Sequence, residues 1–377
     1  MEAVKFLDIV ETLGDKFYIG VPDSLLSPFI DAVMTQYGIS DNHIVAANEG
    51  AAVGLAARHY LATSRPAIVY MQNSGIGNAV NPICSLLNEK VYAIPTVFVI
   101  GWRGEPNTKD EPQHVFQGEI TLSLLECLDI PYIVIGKDTD LETLTNSKDI
   151  ENFRKSLALG KSVAFVIRKD AFTNSNKMKY TSPAPLSREQ ALETILESST
   201  NNDIYVCTTG KLSREVYEIR ENSGVGHEHD FLTVGSMGHS LAIAHGIAIA
   251  KPEKKVWCLD GDGAILMHMG TMAVTSVHQP KNLIHVVINN GAHETVGGLP
   301  AVSESMDLSK LAESMGYTKT YRIKSNEELA TTLPVLSAQQ GFVFVEIICN
   351  LLSRADLGRP KTTPIENKNA LMNVLSK

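Results

Sequence analysis

An α/β architecture of two doubly wound domains, each on a mostly parallel sheet, is what this sequence predicts, and three observations carry that expectation. Apolar runs of four to six residues recur along the chain with helix-length amphipathic stretches between them, as expected for strands covered on both faces. The recurrence breaks once, over residues 169–185, where KDAFTNSNKMKYTSPAP is polar and proline-containing. Two segments rich in glycine and amide groups, Asp260-Gly261-Asp262-Gly263 and Asn289-Asn290-Gly291, each follow an apolar run, the place where open α/β sheets bind ligands. A length of 377 residues suits about two domains, and 44% hydrophobic content supplies their cores.

In order, the first half reads as strands at 17–21, 44–47, 67–71, 96–100, 132–135 and 162–167. Residues 1–170 are taken as one domain and 171–186 as a linker. Ser187 is a plausible helix N-cap opening a second domain, 187–377, with strands at 204–208, 256–259, 283–288 and 343–347. A net charge of -9 without a basic run argues against nucleic acid and anionic membrane as partners. No apolar stretch approaches the roughly 18 residues that cross a bilayer, and the acidic, amphipathic N-terminus lacks a signal-peptide pattern. Five scattered cysteines without CxxC spacing read as reduced, mostly buried thiols of a cytoplasmic protein.

The strand-end motifs carry the chemistry. Gly261 and Gly263 permit tight backbone geometry before a helix expected near Ala264, and Asp262 supplies a carboxylate. Asn290 lies 28 positions on, enough for a helix and a return strand, and offers a neutral oxygen. Hard cations such as Mg2+ take such ligands. Taken alone, the first motif is equally a tight turn, or the nucleophile segment of haloacid-dehalogenase-type phosphatases with Asp260 as nucleophile, although Ala264 stands where those enzymes usually have Thr or Val.

Together the two motifs resemble the metal-diphosphate signature of thiamine diphosphate (ThDP) enzymes. The resemblance implies a pyrimidine-binding domain followed by a diphosphate-binding domain, with Mg2+ held by the side chains of Asp262 and Asn290 and by the carbonyl of Ala292. Gly291-Ala292 departs from the polar residue many relatives carry after the paired Asn. Gly261, Gly263 and Ala264 would line the diphosphate, joined by Gly210 in Thr209-Gly210-Lys211. Met237, in Gly235-Ser236-Met237-Gly238, would support the bent cofactor. Glu49 follows a short strand and opens a helix of small residues, Gly50-Ala51-Ala52-Val53-Gly54. A carboxylic acid there can share a proton with pyrimidine N1′ and so promote cofactor ionisation; by itself it is also an ordinary acidic residue in a first helical turn.

Only a short linker separates the halves, so the third, central domain of the large 2-oxoacid decarboxylases is missing. Met71-Gln72-Asn73-Ser74-Gly75-Ile76-Gly77-Asn78 and the segments Gly101-Trp102-Arg103-Gly104-Glu105-Pro106 and Asp110-Glu111-Pro112-Gln113-His114 resemble the phosphonopyruvate decarboxylase family. The first is shared with the sulfopyruvate decarboxylases, whose two domains are typically separate subunits. The implied reaction is decarboxylation of a small anionic 2-oxoacid, 3-phosphonopyruvate, in phosphonate biosynthesis. Asn73, Ser74 and Asn78 would line the cofactor or substrate cleft, and Arg103, Lys109, His114 and His293 would meet the phosphonate, Arg103 foremost because a guanidinium takes two oxygens at once. The family also implies a homo-oligomer with active sites at subunit interfaces. Sulfopyruvate decarboxylation and a non-catalytic ThDP-binding subunit are the alternatives, the second disfavoured by Glu49.

Overall fold

A computed structural model describes residues 1–174, 176–200, 202–338 and 340–377. The chain divides into two compact units, Met1–Lys179 and Tyr180–Lys377. The boundary falls in the segment 171–186, of which residue 175 lies outside the described residues.

The first unit contains β1 (Tyr18–Gly20), β2 (His43–Val45), β3 (Ile68–Gln72), β4 (Val97–Gly101), β5 (Tyr132–Ile135) and β6 (Val163–Ile167). They form one sheet in the order β2-β1-β3-β4-β6-β5, and every pairing is parallel. The inner strands β4 and β6, VFVIG and VAFVI, are buried throughout, which is why they read as unbroken apolar runs. Phe6, on the helix Ala3–Leu13, packs on this sheet by meeting Phe165 edge-on at 5.1 Å between centroids.

The second unit contains β7 (Ile204–Cys207), β8 (Asp230–Leu232), β9 (Val256–Gly261), β10 (Leu283–Asn289), β11 (Ala292–His293), β12 (Leu299–Pro300), β13 (Lys319–Ile323) and β14 (Val343–Ile348). Its six-stranded sheet runs β13-β14-β10-β9-β7-β8, all parallel, and β11 and β12 form a small antiparallel pair. Leu192 and Ile195 of the helix Arg188–Ser198, with Leu329, Leu333 and Leu336 of the helix Asn326–Ala338, cover one face of it. Ser187 caps the first of these helices in a reciprocal box with Gln190.

Numbered within its own unit, each main sheet reads 2-1-3-4-6-5. Both are doubly wound, as the alternation of apolar runs implied, and in both the connections diverge between the first and third strands. Two expectations need correction. Strands β8 and β13 went unread, because a three-residue edge and the half-exposed KTYRI lack an apolar run. The helix after β9 starts at Asp262 rather than near Ala264 and spans only Asp262–Met267. Three of the five free cysteines, Cys207, Cys258 and Cys349, are buried, and Cys84 and Cys127 are exposed. Among the described residues no helix is long and apolar enough to cross a membrane.

Candidate active site

In the second unit, the loops after β7, β8, β9 and β10 converge at the carboxyl end of the sheet. The register pairs Ile288 with Gly261, so Asp262 and the paired asparagines emerge side by side. Asp262 is 4% exposed and accepts a hydrogen bond from the Ser303 hydroxyl at 2.5 Å. None of the ion pairs among the described residues includes it. Burial pushes its carboxyl up to about 6, although Ser303 and the N–H groups of Gly263 and Gly291 favour the ionised form. A divalent cation alongside would reverse that burial penalty.

Strand alternation separates the two amides. Asn289 donates to Glu346 at 2.8 Å inside the sheet. Asn290 turns the other way, donating from Nδ2 to Glu294 at 3.0 Å and accepting at Oδ1 from the Ala292 N–H at 3.2 Å. A side chain at Gly263 would press on the His293 ring at 3.2 Å and on Met237 Cε at 3.4 Å, so this glycine lets three loops lie together. Gly210, at φ +99°, caps the helix Lys211–Asn222 and faces Thr295. One buried carboxylate, one oriented amide oxygen and backbone carbonyls make a donor set suited to Mg2+, and the glycines leave room for a diphosphate. The residues present fit both groups.

Asp260 is placed differently. It is 1% exposed, accepts from the Gly261 N–H at 2.9 Å and lies 3.6 Å from His285 Nε2, whose Nδ1 is 2.8 Å from the Tyr317 hydroxyl. A carboxylate enclosed in the sheet is not presented as a phosphatase nucleophile. Burial lowers His293 to about 4, so it meets a ligand as a neutral imidazole rather than as a cation.

In the first unit, Glu49 opens the helix Glu49–Thr63, which Asn48 caps by accepting from the Ala51 N–H at 2.8 Å. Glu49 is 5% exposed and accepts from Asn78 Nδ2 at 2.8 Å. A Cβ at Gly75 would sit 2.5 Å from Glu49 Oε1. The carboxyl group is thus held at the ends of β2 and β3 between Asn78 and a residue that must lack a side chain.

The substrate loop departs from expectation. Arg103 spends Nε and Nη2 on Asp110, at 2.8 and 2.5 Å, and donates from Nη1 to Ser24 at 3.0 Å. His114 Nδ1 lies 2.9 Å from the same Asp110. Burial and the Arg103 charge lower its pKa and outweigh Asp110. Arg103 is therefore a clamp within its own loop, with its two-pronged edge already occupied, and the charged form of His114 is disfavoured. Lys109 is exposed on that loop. Asn73 is also committed: Nδ2 donates to the Arg103 carbonyl at 2.8 Å and to Thr121 at 2.9 Å, while Oδ1 accepts from the Arg103 N–H at 3.2 Å. It ties the end of β3 to the loop after β4 instead of offering its amide to a ligand. Ser74 accepts from Gln72 at 2.5 Å.

Sequence reasoning missed Asp23. It follows β1 in Val21-Pro22-Asp23-Ser24, is fully buried, and leaves Oδ1 without a hydrogen-bond partner. Burial pushes its carboxyl up to about 6 against the pull of Arg103 and three backbone N–H groups. Its position after the first strand was the available signal. Ser303 carried none, since only a tertiary contact brings it to Asp262, and Glu294 is placed against Asn290 by the local turn rather than by a recognisable motif.

The chain matches the family described as thiamine pyrophosphate enzyme, N-terminal TPP binding domain, over residues 3–125, and the corresponding C-terminal TPP binding domain over residues 208–347. The fold and its strand-end residues define a two-domain enzyme of this class, and the chain belongs to the thiamine pyrophosphate enzyme family. It is 33% identical to the phosphonopyruvate decarboxylase of Streptomyces viridochromogenes, over 94% of this chain and 90% of that one. It is 31% identical to the enzyme of the same name from Streptomyces hygroscopicus, over 94% and 89%. Sulfopyruvate decarboxylase of Methanosarcina acetivorans is 28% identical over 78% of this chain and 79% of its own.

Proposed function

We infer that this chain catalyses the ThDP- and Mg2+-dependent, non-oxidative decarboxylation of 3-phosphonopyruvate to phosphonoacetaldehyde and CO2. The observation that carries the reading is the end-to-end similarity to two phosphonopyruvate decarboxylases, which exceeds that to the sulfopyruvate enzyme in both identity and coverage. The site residues agree with it. Asp262, Asn290 and the Ala292 carbonyl would hold Mg2+, and Gly210, Gly261, Gly263 and Ala264 would let the diphosphate approach the backbone. Met237 would support the cofactor through apolar contact. Bound ThDP supplies the carbon nucleophile and the electron sink for the departing carboxylate.

Glu49, whose carboxyl group Asn78 orients, would hold and exchange a proton with bound ThDP. The overall reaction consumes one proton as CO2 leaves. Asp23, with an unpaired Oδ1 and a carboxyl that burial pushes up to about 6, is suited to deliver it. Lys109 is the loop cation that Asp110 does not occupy, which makes it the better candidate for the phosphonate. The domains are assigned as 1–170 and 187–377 joined by 171–186. The enzyme is read as a cytoplasmic homo-oligomer in which Glu49 of one subunit serves the Asp262 loop of another.

Phosphonopyruvate, sulfopyruvate and pyruvate assayed side by side with ThDP and Mg2+ test the reading. The highest kcat/KM is expected on phosphonopyruvate. A preference for sulfopyruvate would reassign the substrate, and no turnover of any 2-oxoacid would leave a binding subunit.

A further inference from the structure

Behind Asn290 lies a buried set of charges that the reaction as described does not use. Glu294 Oε2 accepts from Asn290 Nδ2 at 3.0 Å and from Arg188 Nη1 at 2.5 Å, and Oε1 lies 3.2 Å from Lys211 Nζ. Arg188 grips Glu215 with its other edge, at 2.5 and 2.7 Å, and Lys211 also donates to Ser353 at 2.6 Å. The side chains of Arg188, Glu215 and Glu294 are 7%, 1% and 9% exposed, and two cations face two carboxylates.

We propose that Glu294 is a positioning residue whose carboxylate dictates which atom of the Asn290 amide faces the metal, and which couples that orientation to Lys211 at the start of the helix after β7. This rests on reading Asn290 as a metal ligand. The two ends of an amide are nearly the same shape, so packing alone selects poorly between them. A carboxylate accepts only. Set against Asn290, it admits the NH2 end and repels the carbonyl oxygen, so Oδ1 must point away from Glu294. There Oδ1 meets a single donor, the Ala292 N–H at 3.2 Å, and keeps a lone pair for a cation. Arg188 and Lys211 fix Glu294 from two other directions, which removes the freedom of a long side chain to release Asn290. Arg188 comes from the helix Arg188–Ser198 and Lys211 from the first turn of Lys211–Asn222, so the amide is referenced to the scaffold rather than to its own loop. Buried ion networks contribute little net stability compared with well-packed apolar groups, but they can specify a single arrangement. What is specified here is an amide orientation.

The test measures the Mg2+ dependence of ThDP binding by calorimetry, together with thermal melting of the cofactor-free protein. Glu294→Gln can present either end of its own amide to Asn290 and loses the selection. The Mg2+ concentration for half-maximal ThDP binding is expected to rise about 10- to 100-fold, as when a group that orients a metal ligand is lost. Asn290→Asp/Glu294→Gln is the rescue: an aspartate has two equivalent oxygens, so the introduced glutamine amide holds one and the other faces the metal, and affinity should return most of the way. Wild-type Mg2+ dependence in Glu294→Gln overturns the proposal, as does a loss that the double variant shares in full, which would mean a general structural role. If Glu294→Gln does not fold, Asn290→Asp alone decides. It opposes two carboxylates, so Mg2+ affinity should fall even though the metal gains a charged ligand, and a rise overturns the proposal. Asp262→Ala separates this idea from the reading beneath it. Persistent Mg2+-dependent binding in that variant removes the metal site itself, whereas its loss beside an unaffected Glu294→Gln removes only the role of Glu294.

Discussion

The two units share one strand order and differ in what stands at the ends of corresponding strands. After the third strand of each sheet, the first unit has Asn73-Ser74-Gly75 and the second has Asp262-Gly263. After the fourth, the first has Trp102-Arg103 and the second has Asn290-Gly291. After the second, Glu49 answers Met237. In the second unit the strand ends leave oxygens and glycines open at Asp262, Asn290 and Gly263. In the first they close on one another, with Asn73 bonded to the Arg103 backbone and Arg103 to Asp110, and the exceptions are the buried acids Glu49 and Asp23. One topology thus builds a cradle for a charged group and, separately, a holder for carboxylic acids. The fold fixes where ligands are met, and the loop residues fix what is met there.

The largest effects should come from removing the feature peculiar to each unit. Asp262→Ala takes the charged ligand from the second, and Mg2+-dependent ThDP binding measured by calorimetry should be lost, a change of several kcal/mol. Unchanged metal-dependent affinity would show that the two sheet ends do not differ in the way described. Glu49→Gln keeps the shape and removes the proton. ThDP binding should persist while cofactor C2 proton exchange and decarboxylation slow by about 10²- to 10⁴-fold. If each unit supplies half of a site to a different subunit, the two inactive variants should complement when mixed. Absence of recovered activity under conditions shown to exchange subunits would put both halves of the site in one chain.

The same contrast explains what could be read without coordinates. Inner strands announce themselves because burial on both faces demands unbroken apolar runs, and the glycines and asparagines at their ends are local requirements of backbone and ligand. Edge strand β8 is only three residues long and edge strand β13 is half-exposed, so neither left such a pattern. Asp262, Asn290 and Glu49 could be put at strand ends from the sequence because each comes shortly after an apolar run. The Arg103–Asp110 pairing could not be read from sequence because it is set by how the loop folds back: a side chain at Gly118 would run into the Gly104 backbone. Ser303 was invisible for the same reason.

Asp23 sharpens the comparison at an intermediate scale. Its carboxyl rises from 3.8 to about 6, chiefly through burial. The folded chain therefore binds this proton more tightly than the unfolded one. The associated stability is complete below about pH 4 and is lost as pH rises through 6, where burying the ionised group costs about 3 kcal/mol. Asp23→Asn should raise the melting temperature at pH 7.5, leave it nearly unchanged at pH 4, and lower kcat as a proton donor disappears. An equal shift at both pH values would mean that packing rather than ionisation is responsible.

The smallest effect concerns the loop after β4, where Arg103, Lys109, Asp110 and His114 cluster at the end of the first unit's fourth strand. Three groups there can be compared on two substrates, phosphonopyruvate and pyruvate, which differ by the phosphonate. Arg103 and His114 both face Asp110, so Arg103→Ala and His114→Ala should loosen the loop and reduce kcat/KM on both substrates by similar factors. Lys109 is exposed, and it is the cation proposed above to meet the phosphonate. Its contact is charge-assisted but solvated, so Lys109→Ala should cost phosphonopyruvate about 1.5 kcal/mol, roughly tenfold in kcat/KM, and pyruvate almost nothing. ThDP affinity, measured separately, should not change. A selective loss in Arg103→Ala would mean that the clamp opens to receive the phosphonate. Equal losses in Lys109→Ala would make the loop a support for the fold, and no loss in any variant would move the phosphonate site to the neutral imidazole of His293, where hydrogen bonding rather than charge would have to recognise it.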